Sequence, residues 1–297
     1  MRPPTQQQVD SLQKPERVVQ PTVIASRYRL EQLIGRGASA EVFRATDLQT
    51  QQAVVVKIMA RPADQLEAPD AEGARELDVA RRLSHPGIAA VLDAGRTATG
   101  AWLAMPLVAG APLTRYTDRA RLLPEALVLR LVADLARALA HAHAHGVVHR
   151  DMKPSNVMVD LTSARATVLD FGVARMDGRF ATRTGLTLGT PAYMAPELLS
   201  GQPASPASDT YALGVMMFEL LTSQRPHQAA SLGQLLKAIA TAPDVDIRAV
   251  RADLSPGVAQ VVNSMISARA SRRPHDLQAL SAQLEAMAHE LEPRPPR

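Results

Sequence analysis

Cysteine does not occur in this chain of 297 residues. Disulfides, thiolate zinc sites and cysteine nucleophiles are therefore excluded, and no oxidising compartment is needed. Aromatic residues make up only 3% of the chain, which leaves little to stack on nucleobases, and the net charge of +4 is mild. Nucleic acid is accordingly not expected as a partner. No apolar run approaches the roughly 20 residues that a bilayer-spanning helix needs; the richest stretches, 126–140 and 211–221, are interrupted or short. The first eight residues hold no apolar core of a secretion signal, so the expectation is a soluble protein of the cytoplasm with no membrane span. Lysine is also rare. Of 33 basic residues only Lys14, Lys57, Lys153 and Lys237 are lysines.

Hydrophobic residues reach 46%, enough for one large core or two lobes. Residues 1–26 are rich in Gln, Pro and Val without a helical period and read as a flexible tail. From Tyr28 to Ile34, Glu41 to Ala45 and Ala53 to Met59 the pattern is that of strands, the last one rich in β-branched residues. A helical spacing of Ala74, Leu77, Ala80 and Leu83 follows, ended by His85-Pro86-Gly87. Two further strand-like runs, Ile88 to Leu92 and Ala101 to Leu107, complete a small sheet domain. Beyond residue 108 the pattern predicts helices over 125–145, 207–222, 232–241, 257–266 and 276–292. Strands first and helices second argue an α+β, two-lobed architecture with a cleft at the junction.

Three short segments carry the chemistry: His149-Arg150-Asp151-Met152-Lys153-Pro154-Ser155-Asn156, then Asp170-Phe171-Gly172, then Ala195-Pro196-Glu197. Each triplet alone is common. Their order, their spacing and the internal Lys153 and Asn156 make the set specific. Upstream, Ile34-Gly35-Arg36-Gly37-Ala38-Ser39-Ala40-Glu41-Val42 joins the first two predicted strands. Taken alone it is a hairpin turn, yet small residues there also let backbone N–H groups approach a polyphosphate. Together these segments resemble the signature set of the eukaryotic-like (Hanks-type) bacterial serine/threonine protein kinases. The resemblance spans about residues 28–290.

It implies a bilobal protein-kinase-like fold over 27–291. A five-stranded N-lobe with one helix would occupy 27–108, a mainly helical C-lobe 109–291, and a short tail 292–297. The implied reaction moves the γ-phosphoryl group of ATP to serine or threonine hydroxyls of protein substrates, with Mg2+, or Mn2+ in its place, as the metal. Asp151 would be the base and Lys153 would neutralise the γ-phosphate. Lys57 would contact the α- and β-phosphates and pair with Glu76, nine residues before His85, with Glu72 as the fallback. Ile34, Gly35, Arg36, Gly37, Ala38, Ser39 and Ala40 would cover the nucleotide. Val42 and Val55 would lie above the adenine and Met158 below it, with Met105 as gatekeeper and the backbone of Pro106 and Val108 on the adenine edge. Asn156 and Asp170 would hold the metal. Ala40 stands where the family has a third glycine, and Val55 where alanine is usual. Lysine is kept at both phosphate positions of an arginine-rich chain because a compact ammonium acts as a point charge, unlike a planar guanidinium.

Glu197 and Arg273 resemble the ion pair that anchors the substrate loop, and Asp209 the residue that supports the catalytic loop. Thr182 and Thr184 resemble paired threonines that such kinases phosphorylate on themselves, with a homodimer as one arrangement for that step; Arg150 and Arg175 would clamp the phosphate. His141, His143 and His145 also suit a metal by helical spacing, but the family commonly has a histidine at His143. A pseudokinase scaffold and a small-molecule phosphotransferase are the alternatives, disfavoured by the complete set of lysine, base and metal ligands and by Ala195-Pro196-Glu197.

Overall fold

The computed structural model describes residues 22–37, 40–60, 81, 83–97, 100–169, 191–229, 231–241 and 244–292. Strands β1 (Val23–Ile24), β2 (Tyr28–Arg36), β3 (Ala40–Asp47), β4 (Ala53–Ala60), β5 (Asp93–Thr97) and β6 (Gly100–Pro106) form one antiparallel sheet in the order β1-β2-β3-β4-β6-β5. Side chains alternate faces along a strand, and β4 shows the consequence. Val54 and Val56 pack with Tyr28, Leu30, Phe43 and Trp102 on one face, while Val55 and Met59 join Ala40, Leu103 and Met105 on the other.

The predicted strand from Ile88 to Leu92 is a correction. Strand β5 begins at Asp93, and Ile88 instead enters the helical core. The Ala89 N–H donates to the Val168 carbonyl and the Val168 N–H to that of Gly87, at 2.9 Å each. An apolar run of this length does not encode which surface it joins. At the chain's start, the two residues of β1 pair with Tyr28 and Arg29, so the folded part reaches back into the stretch read as tail. With β1 at its edge, the sheet has one strand beyond the five expected. The helix predicted between 71 and 83 lies outside the described residues, except for 81 and 83.

The large lobe holds α1 (Glu125–Ala144), α2 (Pro196–Leu199), α3 (Pro206–Thr222), α4 (Leu232–Thr241), α5 (Pro256–Met265) and α6 (Leu277–Glu290). All but the single turn α2 follow the sequence periodicity to within two residues. Their starts are encoded locally. Ser205 and Ser208 form a capping box on α3, and Ser255 and Asp276 cap α5 and α6. Helix α1 is the centre, packed on α3, α6 and the strand Arg165–Val168. Helices α3 and α5 meet at Gly214, where an added Cβ would stand 2.6 Å from the Cβ of Met265.

A small sheet of β7 (Ala111–Pro112), β8 (Val157–Asp160) and β9 (Arg165–Val168) lies under the junction. Gly110, which leads into β7, has φ 103°, and a Cβ there would be 2.1 Å from the Val159 carbonyl oxygen. Only glycine allows the connection between lobes to run so close to β8. The parallel bridge of Ile88 to Val168 is a second tie between the lobes.

Candidate active site

Helix α1 ends at Ala144, and Gly146, with φ 76°, turns the chain into the loop that carries Asp151. That loop is hung on one buried carboxylate. Asp209, in the first turn of α3 and 1% exposed, accepts the backbone N–H of His149 on Oδ2 at 2.8 Å and that of Arg150 on Oδ1 at 2.9 Å. His143 Nε2 lies 2.8 Å from the same Oδ2. Arg150 has φ 70°, a left-handed conformation that costs a non-glycine residue of order 1–2 kcal/mol. Bonds to a charged acceptor are worth about 1.5–3 kcal/mol each and offset that strain.

Asp151 Oδ2 accepts from Lys153 Nζ at 2.7 Å and from Asn156 Nδ2 at 3.1 Å, and Nδ2 also donates to the Asp151 carbonyl at 2.8 Å. Oδ1 has no partner among the described residues, and the side chain is 28% exposed. Pro154 starts the single turn Pro154–Asn156 that holds these groups in register. The Asn156 amide nitrogen is committed to Asp151, so its Oδ1 is left as a hard oxygen donor suited to Mg2+. His149, buried at 1% exposure, accepts the Asp151 N–H at Nδ1 (3.2 Å) and bonds through Nε2 to the Leu169 carbonyl (2.9 Å). The Leu169 N–H donates to the Asn156 carbonyl at 2.8 Å. The chain is thus fixed against the base loop up to the residue before Asp170. Asp170 itself lies outside the described residues, as do Glu72, Glu76, Ala38, Ser39 and the segment 171–190.

The opposite wall is the second face of the six-stranded sheet. Val42, Lys57 and Leu103 stand opposite one another across β3, β4 and β6, and Val55 stands opposite Met105. Directly opposed residues in antiparallel pairs share a face, so Val42, Val55, Lys57 and Met105 lie together. Ala40 belongs to the same buried cluster. Gly35 is opposite Val42 and Arg36 opposite Glu41, and the Gly37 N–H closes the turn on the Ala40 carbonyl at 2.7 Å. Ile34 is 49% exposed, an apolar side chain without a buried seat. Pro106 ends β6, and the half-buried Val108 has a backbone N–H with no partner among the described residues. An apolar flat group with a hydrogen-bonding edge fits these features. Met158, on β8, lies opposite Thr167 and Pro112 in the small sheet.

Farther from the base, Arg273 makes a two-pronged bond to Glu197, at 2.7 and 2.8 Å, with the guanidinium side chain fully buried. Burial would raise the Glu197 carboxyl, but hydrogen bonds from Arg273 and Ser208 outweigh it and hold the group below its ordinary value. Ser208 was not identified from sequence; its hydroxyl donates to Glu197 at 2.9 Å. Ser208 also completes the capping box with Ser205 at the start of α3. The histidines at 141, 143 and 145 divide their duties. His143 is committed to Asp209, whereas the His141 ring lies tilted against those of His145 and His85 at centroid distances of 4.4 and 5.2 Å. Burial lowers both His85 and His141. Among the described residues, no three His, Cys, Asp or Glu side chains group to hold a metal ion.

Residues 28–285 match the protein kinase domain family. The chain is 37% identical over 278 residues to serine/threonine-protein kinase pkn3 of Myxococcus xanthus, covering 90% of this chain and 51% of that protein. It is 38% identical over 275 residues to the DNA damage-responsive serine/threonine-protein kinase RqkA of Deinococcus radiodurans, covering 90% and 40%. The chain therefore spans about half the length, or less, of these curated relatives. The crystal structure of the Mycobacterium tuberculosis PknI kinase domain is similar with a TM-score of 0.70 and 25% identity, over 90% of this chain and 99% of that one. Among the described residues no helix is long and apolar enough to cross a membrane.

Proposed function

We propose, because the chain belongs to the protein kinase domain family, that it transfers the γ-phosphoryl group of ATP to serine and threonine hydroxyls of proteins. The observation that carries this reading is the base loop: Asp151 with Oδ1 unpartnered among the described residues, Lys153 and Asn156 bonded beside it, and the whole loop held by Asp209. An acceptor hydroxyl at Asp151 Oδ1 gives up its proton there as its oxygen bonds to the γ-phosphorus. The bond from that phosphorus to the β–γ bridging oxygen breaks, and ADP leaves. Lys153 supplies positive charge beside the base, and Lys57 does so from the sheet. A magnesium ion, held by Asn156 and by Asp170, would neutralise phosphate charge. Most of the acceleration in such a site comes from positioning and charge, since the side chains form no covalent intermediate.

Several finer assignments belong to the same reading. Glu76 is the proposed partner of Lys57; manganese is the proposed substitute for magnesium. Thr182 and Thr184 are the proposed sites of self-phosphorylation by a second copy, and the cytoplasm, consistent with a chain free of cysteine, is the proposed location. The test is incubation of the purified chain with γ-labelled ATP, magnesium and a generic protein substrate, followed by phosphoamino-acid analysis. Label on serine or threonine, lost with EDTA and restored by magnesium, is the expected result. Nucleotide binding without transfer would instead favour a scaffold, and label on small molecules alone would favour a different phosphotransferase.

A further inference from the structure

Among the described residues most arginines have a carboxylate partner, such as Arg27 with Asp47, Arg137 with Asp134 and Arg251 with Glu125. Arg115, Arg119 and Arg121 have none. All three are exposed, within seven residues of chain. They lie on two consecutive single turns, Leu113–Tyr116 and Arg119–Arg121. The support under them is rigid. Leu113 is fully buried in the large-lobe core and Tyr116 packs against that core. Asp118 caps the second turn by accepting the Ala120 N–H at 2.8 Å.

The first of these turns packs directly on the Pro154–Asn156 turn and on β8, and the second packs on the first. The turn that carries Arg115 therefore lies beside the loop that carries the base, and the turn of Arg119 and Arg121 lies next to it. Between residues 113 and 124 three arginines accompany one acid, Asp118, and the Lys153 ammonium, paired with Asp151 at 2.7 Å, lies on the side of the base. Glu125, the next acid along the chain, is already paired with Arg251 at 3.0 Å. At the mouth of the site, Pro112 and the exposed Ser155 bring no negative charge. Like charges this close in sequence repel over a screening length of about 8 Å at physiological salt, and guanidinium forks match carboxylates in two-pronged geometry.

We propose that Arg115, Arg119 and Arg121 form a docking patch for the acidic flank of the acceptor segment, so that the substrates are proteins whose phosphorylated residue has aspartate or glutamate near it. This deepens the kinase reading and rests on it. The test compares threonine peptides that differ only in flanking residues, three aspartates against three asparagines. The aspartate peptide should have a KM about tenfold or more lower at low salt, as expected for three exposed charge pairs, and the difference should shrink as salt is raised. The triple variant R115Q/R119Q/R121Q should abolish that difference without changing kcat, the KM for ATP or the KM for the asparagine peptide. Equal KM values for the two peptides, or a preference that survives in the triple variant, would overturn the proposal. Anisotropy of the labelled aspartate peptide reads the patch without turnover. Salt-dependent binding, lost in the triple variant, supports the patch even if no peptide is phosphorylated, in which case only the kinase reading fails. Binding that is absent, or equal in both proteins, overturns the patch.

Discussion

Asp209 Oδ1 accepts the backbone N–H of Arg150 at 2.9 Å, across 59 residues of sequence, where the chain turns left-handed one residue before the base. The same carboxylate holds His149 and faces His143. Replacing it by asparagine exchanges an acceptor oxygen for a donor aimed at N–H groups. Asp209→Asn should lower kcat by about tenfold or more, roughly 1.4 kcal/mol in the barrier, with the KM for ATP unchanged. Steady-state kinetics beside a thermal melt will decide it; an unchanged kcat would mean that the loop holds its shape without this anchor.

Asp151→Asn, Lys57→Met and Asp170→Ala should each reduce transfer by about a thousandfold or more, in the range of lost proton transfer and charge stabilisation. Asp151 and Lys57 are only partly buried, so melting temperatures for those two should stay within about 3 °C of the parent. Near-normal turnover in any variant of verified mass removes that residue from the mechanism. A large drop in melting temperature would reveal a structural role instead.

The Glu197–Arg273 pair is buried and hydrogen-bonded on both sides. Removing one partner leaves an uncompensated charge, so Arg273→Gln should cost about 3–5 kcal/mol of stability. Because the folded Glu197 carboxyl is held below its ordinary value of 4.5, its contribution is present above that pH and is lost as pH falls through the lower folded value. The melting-temperature gap between parent and Glu197→Gln should therefore be constant near neutrality and narrow below about pH 4.5. A gap that stays constant in acid would contradict the pairing as the source of the depressed value.

Thr182 and Thr184 lie outside the described residues, and their assignment rests on the resemblance to paired threonines of such kinases. Protein purified after expression should carry phosphate on one or both, and the Asp151→Asn variant should carry none. Changing both to alanine should reduce transfer to an outside substrate by about tenfold, or 1.4 kcal/mol, because about two negative charges beside Arg150 would be lost. Mass spectrometry of a fully active enzyme with an unmodified segment is the outcome that excludes this control.

Helix positions, the strand over Ala53 to Met59 and the motif that contains Asp151, Lys153 and Asn156 were legible in the chain alone. Each depends on local information: a 3.6-residue period, a run of β-branched residues, or a motif whose members lie within a few residues of one another. Tertiary structure decided what local patterns do not carry. Whether Ile88 joins the sheet or the helical core depends on the Val168 edge, which lies 80 residues along the chain. Glu197 finds Arg273 across 76 residues, and the Ser208 hydroxyl joins that pair. Nothing local in the sequence shows that the turn carrying Arg115 packs on the Pro154–Asn156 turn, with the turn of Arg119 and Arg121 packed against it. Period and capping determine which element forms and which face it buries, whereas the partner across the fold is selected by packing and by the need to satisfy buried polar groups.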